Sequence, residues 1–108
     1  MVFYRDKNYE EALKKFRAAV DLKPTDAVLM NNLGYLYYMM GRYDDALTCL
    51  QKTLTIDPRR KEAHQNIADT FLKLNRREEA KQHYKQFLEL QPSSPRSDEV
   101  RKILETLN

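Results

Sequence analysis

The feature that most constrains this chain is a period of 34 residues. Pro24, Pro58 and Pro92 recur at that spacing, as do Ala12, Ala46 and Ala80, and Leu22, Ile56 and Leu90. A large apolar residue holds the column Phe16, Leu50, Tyr84, and an aromatic one holds Phe3, Tyr37, Phe71. The acidic pairs Glu10-Glu11, Asp44-Asp45 and Glu78-Glu79 keep the same register, and Leu33-Gly34 returns as Ile67-Ala68. A unit this short cannot bury its own apolar face, so neighbouring units must stack into one continuous core.

Each period carries two helical patterns. Ala46, Leu47, Leu50 and Leu54 stand at i, i+1, i+4 and i+8, which is one face of an α-helix. With 2 Gly and 4 Pro among 108 residues, the composition favours helices with short connections over a sheet. Gly41 tolerates positive φ and closes one helix, Asn75 does so in the next period, and each proline ends the second helix of its pair. The pattern predicts a helix at about 9–23, pairs at about 27–40 with 43–57 and 61–73 with 77–91, and a last helix near 95–107. There Ser94 caps, Pro95 takes the first turn, and Val100, Ile103, Leu104 and Leu107 form the buried stripe. The opening residues, Phe3 among them, read as the last turn of a separate preceding helix.

A unit of 34 residues with two helices and a closing proline resembles the tetratricopeptide repeat. One unit shows Met30, Leu33, Gly34, Tyr37, Ala46, Leu50, Thr53 and Pro58 in the family's pattern. The next shows His64, Ile67, Ala68, Phe71, Ala80, Tyr84, Phe87 and Pro92; the first offers Phe3, Ala12, Phe16, Ala19 and Pro24. The resemblance covers residues 1–94 and implies an all-α fold: a right-handed α-solenoid of antiparallel helix pairs with a C-terminal capping helix. Residues 1–108 then form a single domain, divided into a partial repeat (1–26), full repeats (27–60 and 61–94) and a capping helix (95–108). Phe87 departs from the pattern, because the family prefers a small residue in its column. That predicts a last pair that is more open or differently packed.

The resemblance also implies a non-enzymatic scaffold that holds a peptide or helix of a partner protein in its concave groove. The concave face is lined by the first helix of each pair, which names Asn31, Asn32, Tyr35, Tyr38, Gln65, Asn66, Asp69 and Lys73 as partner-binding candidates. Asn32 and Asn66 share a column, and stacked amides suit an extended backbone with alternating N–H and C=O groups. Tyr35 and Tyr38 are rigid aromatics with a polar tip, a common interface anchor. Some family members grip a peptide carboxylate with Lys, Arg and Asn; here Asn32 matches, but Glu62 and Asn66 replace the basic partners, which argues against such a clamp. The alternative reading is a fragment of a longer repeat array that self-associates through its incomplete N-terminal repeat. A homodimer would then be built on Phe3, Leu13, Phe16 and Val20.

Other classes of function find little support. The acidic pairs recur in every period at the start of a second helix, where the helix dipole favours them, so they read as structure, not catalysis. Cys49 and His83 share a column without a third ligand, which gives no metal site. No catalytic set or phosphate loop is present, and no cofactor is expected. The net charge of +3 is spread evenly, and the runs at Arg59–Lys61 and Arg76–Arg77 flank a helix ~20 Å long, so nucleic acid is not the expected partner. No apolar run spans a bilayer, no secretory leader is visible, and one cysteine fits a reducing compartment; a cytoplasmic location is expected, without membrane binding.

Overall fold

A computed structural model describes the backbone of residues 2–108 and the side chains of residues 8–108. Six helices follow one another: α1 (Val2–Leu22), α2 (Ala27–Met39), α3 (Tyr43–Ile56), α4 (Lys61–Lys73), α5 (Arg77–Leu90) and α6 (Pro95–Leu107). Among the described residues there is no strand. α2 packs on α3 and α4 on α5; α1 against α2, α3 against α4 and α5 against α6 join the stack. Among the described residues one contact skips a helix, that of α2 with α4. The result is an all-α solenoid of helix pairs closed by α6.

The turns inside the pairs are built alike. Gly41 (φ 79) and Asn75 (φ 60) adopt the left-handed conformation after α2 and α4. The next residue bonds back across the helix end, Arg42 N–H to the Tyr37 carbonyl (2.9 Å) and Arg76 N–H to that of Phe71 (2.8 Å). Each arginine then lies over the ring of that same aromatic, at 4.8 Å and 4.7 Å. Each also pairs with an acid three residues on, Asp45 and Glu79. This clasp fixes the angle between the helices of a pair.

α1 departs from expectation. It runs unbroken from Val2 to Leu22, so the opening residues are its own first turns and not the end of a separate helix. The column that holds Gly41 and Asn75 is filled by Lys7 in the first period. Lysine has no preference for positive φ, so nothing there stops the helix. The Phe3 side chain lies outside the described residues.

The core sits between the helices of each pair. Ala46, Leu50, Ile67, Ala68, Ala80, Tyr84 and Val100 are 0 % exposed. Gly34 lets α2 and α3 approach: a Cβ placed on it would lie 2.7 Å from Leu50 Cγ and 3.3 Å from Cys49 Cβ. Phe87, for which a more open or differently packed last pair was expected, is buried in the core cluster that includes Val100 of α6. Ser94 caps α6 by accepting from Ser97 N–H (2.9 Å), and Asp26 caps α2 by accepting from Leu29 N–H (3.0 Å). Such caps contribute about 1 kcal/mol each.

Candidate partner-binding groove

α2 carries no charged side chain in its 13 residues, although three of its large apolar side chains, Val28, Tyr35 and Met39, face solvent. Between α2 and α4 lies a pocket of about 280 Å³, lined by Asn31, Asn32, Tyr35, Glu62, Gln65 and Asn66. One bond crosses its floor: Asn66 Nδ2 donates to Asn31 Oδ1 at 3.3 Å, and both side chains are buried. The amide ladder therefore joins Asn66 to Asn31 and not to Asn32. α4 lies along the side of α2 that presents Asn31, so Asn32 stays exposed on the rim.

The other candidates fall into two groups. Tyr35 stacks on Tyr38 with ring centroids 6.1 Å apart, and Tyr38 leans on Tyr43 at 5.8 Å. Tyr38 is half-buried; burial and then the nearby Asp69 charge push its phenol above the ordinary value. Asp69 is turned inward. It accepts a bond from the Tyr84 hydroxyl and lies 3.7 Å from the Arg96 guanidinium of α6. Burial raises its carboxyl, although the Tyr84 bond and Arg96 pull the other way. Tyr84 in turn is pushed up, by burial first and by Asp69 second. Asp69 thus ties α4 to α5 and α6 inside the fold. Gln65 lines the pocket, whereas Lys73 is exposed at the end of α4 and outside its lining.

A second cavity, of about 310 Å³, adjoins the first and shares Asn32 and Tyr35 with it. Tyr9 and Phe16 of α1 form one wall; Leu36 and Met39 of α2 complete the other. Of the residues expected to mediate self-association, Phe16 and Val20 are half-buried against the core. Leu13 is not on an open face. It is 5 % exposed in the core cluster, on a helix that packs, among the described residues, against α2.

The sequence spacing did not reveal a histidine pair. His83 has ring contacts with His64 and Phe71. His64 Nε2 lies 3.0 Å from the Pro58 carbonyl, which can only accept, so Nε2 carries the hydrogen. His64 Nδ1 must then accept from His83 Nδ1–H at 3.1 Å. Burial, then the neighbouring His64, push His83 down to about 4. Cys49 is a free, buried thiol, raised by that burial. Among the described residues, no three His, Cys, Asp or Glu converge as a metal site would require. Among them too, no helix is long and apolar enough to cross a membrane.

Stacked helix pairs with a rigid turn, a small–large contact in each pair and a polar inner groove define an α-helical repeat protein. The family profile described as "Tetratricopeptide repeat" matches residues 1–59 and again 25–93, and the chain belongs to that family. The TPR repeat-containing thioredoxin TTL4 of Arabidopsis thaliana is 32% identical over 82 residues, 76% of this chain but 12% of the relative. The chain thus spans about an eighth of that relative's length. The Yersinia enterocolitica type III secretion chaperone SycD, solved with a peptide of the translocator YopD, superposes with a TM-score of 0.86 at 26% identity. That match covers 96% of this chain and 82% of SycD. The first TPR of Spaghetti (RPAP3), bound to the HSP90 peptide SRMEEVD, has the same fold: TM-score 0.84 at 24% identity, over 97% of this chain and 84% of the other.

Proposed function

We propose that this chain is a non-enzymatic scaffold whose groove between α2 and α4 holds an extended segment of a partner protein. The observation that carries the reading is the amide-lined pocket: Asn31 and Asn66 close its floor, while Asn32 and Gln65 keep donors and acceptors on its wall. Side-chain amides of both polarities match a peptide backbone, and the Tyr35 ring beside them offers an apolar contact. SycD and the RPAP3 repeat, similar in fold, were solved with peptides bound. In this reading 27–60 and 61–94 are full repeats, 1–26 contributes a partial one, and 95–108 caps the stack. Among the described residues Glu62 is the one charged side chain lining the pocket, which weighs against an acidic C-terminus as the partner segment.

The test is calorimetric titration of peptides derived from co-purifying proteins. Asn32→Ala and Tyr35→Ala, both at exposed positions, are each expected to weaken binding by about tenfold without lowering the melting temperature. Unchanged affinity in both variants would remove the groove from the account.

A further inference from the structure

Twice in this fold an arginine is held between one aromatic ring and one carboxylate. Arg42 lies over the Tyr37 ring at 4.8 Å and pairs with Asp45 at 2.9 Å. Arg76 lies over the Phe71 ring at 4.7 Å, and its Nε donates to Glu79 at 2.9 Å. A guanidinium suits that setting. Its weakly hydrated flat face meets the π-cloud, while its N–H edge forks onto the carboxylate oxygens.

The groove between α2 and α4 presents the same two elements in the open. Tyr35 is 45 % exposed, the Glu62 side chain is 52 % exposed, and both line the pocket of about 280 Å³. The rest of its lining is neutral amide, and Asn32 and Gln65 carry oxygens that accept N–H groups. Glu62 is only loosely matched within the chain. Arg60 Nη1 lies 3.9 Å from its Oε1, beyond hydrogen-bond reach, while Arg60 Nη2 is held by Asp57 at 3.2 Å. The other acid of this face, Asp69, is taken up inside the fold by Tyr84 and Arg96, and α2 adds no charge. An open carboxylate between uncharged walls complements a cation. The net charge of +3 opposes a cation only from a distance, and salt screens that beyond about 8 Å.

We propose, resting on the groove assignment above, that this pocket receives an arginine side chain of the partner's extended segment. The guanidinium lies against the Tyr35 ring, forks onto the Glu62 carboxylate and gives its remaining N–H groups to the oxygens of Asn32 and Gln65. Lysine brings the charge without the flat face or the fork. Citrulline brings the shape without the charge, and a glutamate side chain is repelled by Glu62.

The probes are four blocked heptapeptides, Gly-Thr-Val-X-Val-Thr-Gly, with arginine, lysine, citrulline or glutamate at X, titrated into the isotope-labelled protein. Their β-branched residues favour the extended form. The arginine probe is expected to shift the Tyr35, Glu62 and Gln65 signals saturably. It should bind at least about tenfold more tightly than citrulline and about threefold more tightly than lysine, and weaken as salt is raised. Glu62→Gln, at an exposed position, is expected to bring arginine and citrulline within about twofold while the melting temperature stays unchanged. Tyr35→Leu is expected to remove the preference for arginine over lysine and to keep the preference over citrulline. Equal binding of the arginine and citrulline probes overturns the proposal, and so does a preference that survives Glu62→Gln or a lysine probe as tight as arginine. If all four probes bind alike with shifts at Asn32 and Gln65, the arginine site falls and the peptide groove stands. If none shifts the pocket, the arginine site falls as well, and the groove is then judged by the Asn32→Ala and Tyr35→Ala titrations alone.

Discussion

Gly34→Ala tests whether the close approach of α2 and α3 is the feature that sets the pair. The added methyl would lie 2.7 Å from Leu50 Cγ and 2.8 Å from Leu50 Cδ2, and Leu50 is 0 % exposed. Leu50 has no free space to yield into, so either its rotamer or the helix spacing must change, at a cost of about 1–3 kcal/mol. Alanine also returns about 1 kcal/mol of helix propensity over glycine. The net expectation is a loss of about 0–2 kcal/mol, which for a domain of this size lowers the melting temperature by up to roughly 12 °C. Urea denaturation followed by circular dichroism measures it. Leu50→Ala alone is expected to cost about 2–5 kcal/mol. In the double variant the alanine at 34 occupies part of the cavity, so the two losses should sum to less than their separate values by at least about 1 kcal/mol. A Gly34→Ala protein more stable than its parent by the full ~1 kcal/mol of helix propensity, or strict additivity in the cycle, would refute the close-approach argument.

Two further outcomes follow from the buried polar groups. The folded His83 sits at about 4, below the ordinary 6.5, so the folded state binds fewer protons than the unfolded one over that interval. Stability is full above about pH 6.5 and falls as the pH drops towards 4; allowing for solvent screening of a half-buried ring, the loss is about 1–2 kcal/mol. His83→Gln should flatten that slope in denaturation midpoints measured across the interval, and an unchanged slope would clear the histidine pair of any part in it. Tyr84→Phe removes the hydroxyl that donates to Asp69 and should cost about 1–3 kcal/mol. Because the lost bond favours the ionised carboxylate, Asp69 rises further, and the deficit should be larger at pH 8 than at pH 5. Equal losses at both pH values would mean that Asp69 is not the partner that matters.

The sequence displays the repeat because each helix pair needs the same few residues at the same offsets, and only neighbours in the stack touch. Gly34, Ala46, Leu50 and Pro58 mark a unit, and α2 to α6 end within a residue of where the pattern puts them. The first helix escaped that logic at a single position, since Lys7 stands where Gly41 and Asn75 break the later helices. The groove was legible as a face but not as contacts. Column spacing pairs Asn32 with Asn66, whereas α4 leans across α2 to meet Asn31. Asp69 looked like a free groove acid because its partners, Tyr84 and Arg96, come from two other helices. Pattern along one helix carries no sign of them. Leu13 looked available for the same reason, although it is buried in the core cluster.

The bond between Asn31 and Asn66 has a mechanical meaning. It lies in a contact that skips a helix, that of α2 with α4, while the outer rim of the solenoid is held by the broad packing of α3 on α4. A single neutral amide bond contributes on the order of 1 kcal/mol. The inner rim is therefore a soft clasp set against a firm outer hinge. A change at those two amides would therefore act on the softer, inner side of the stack.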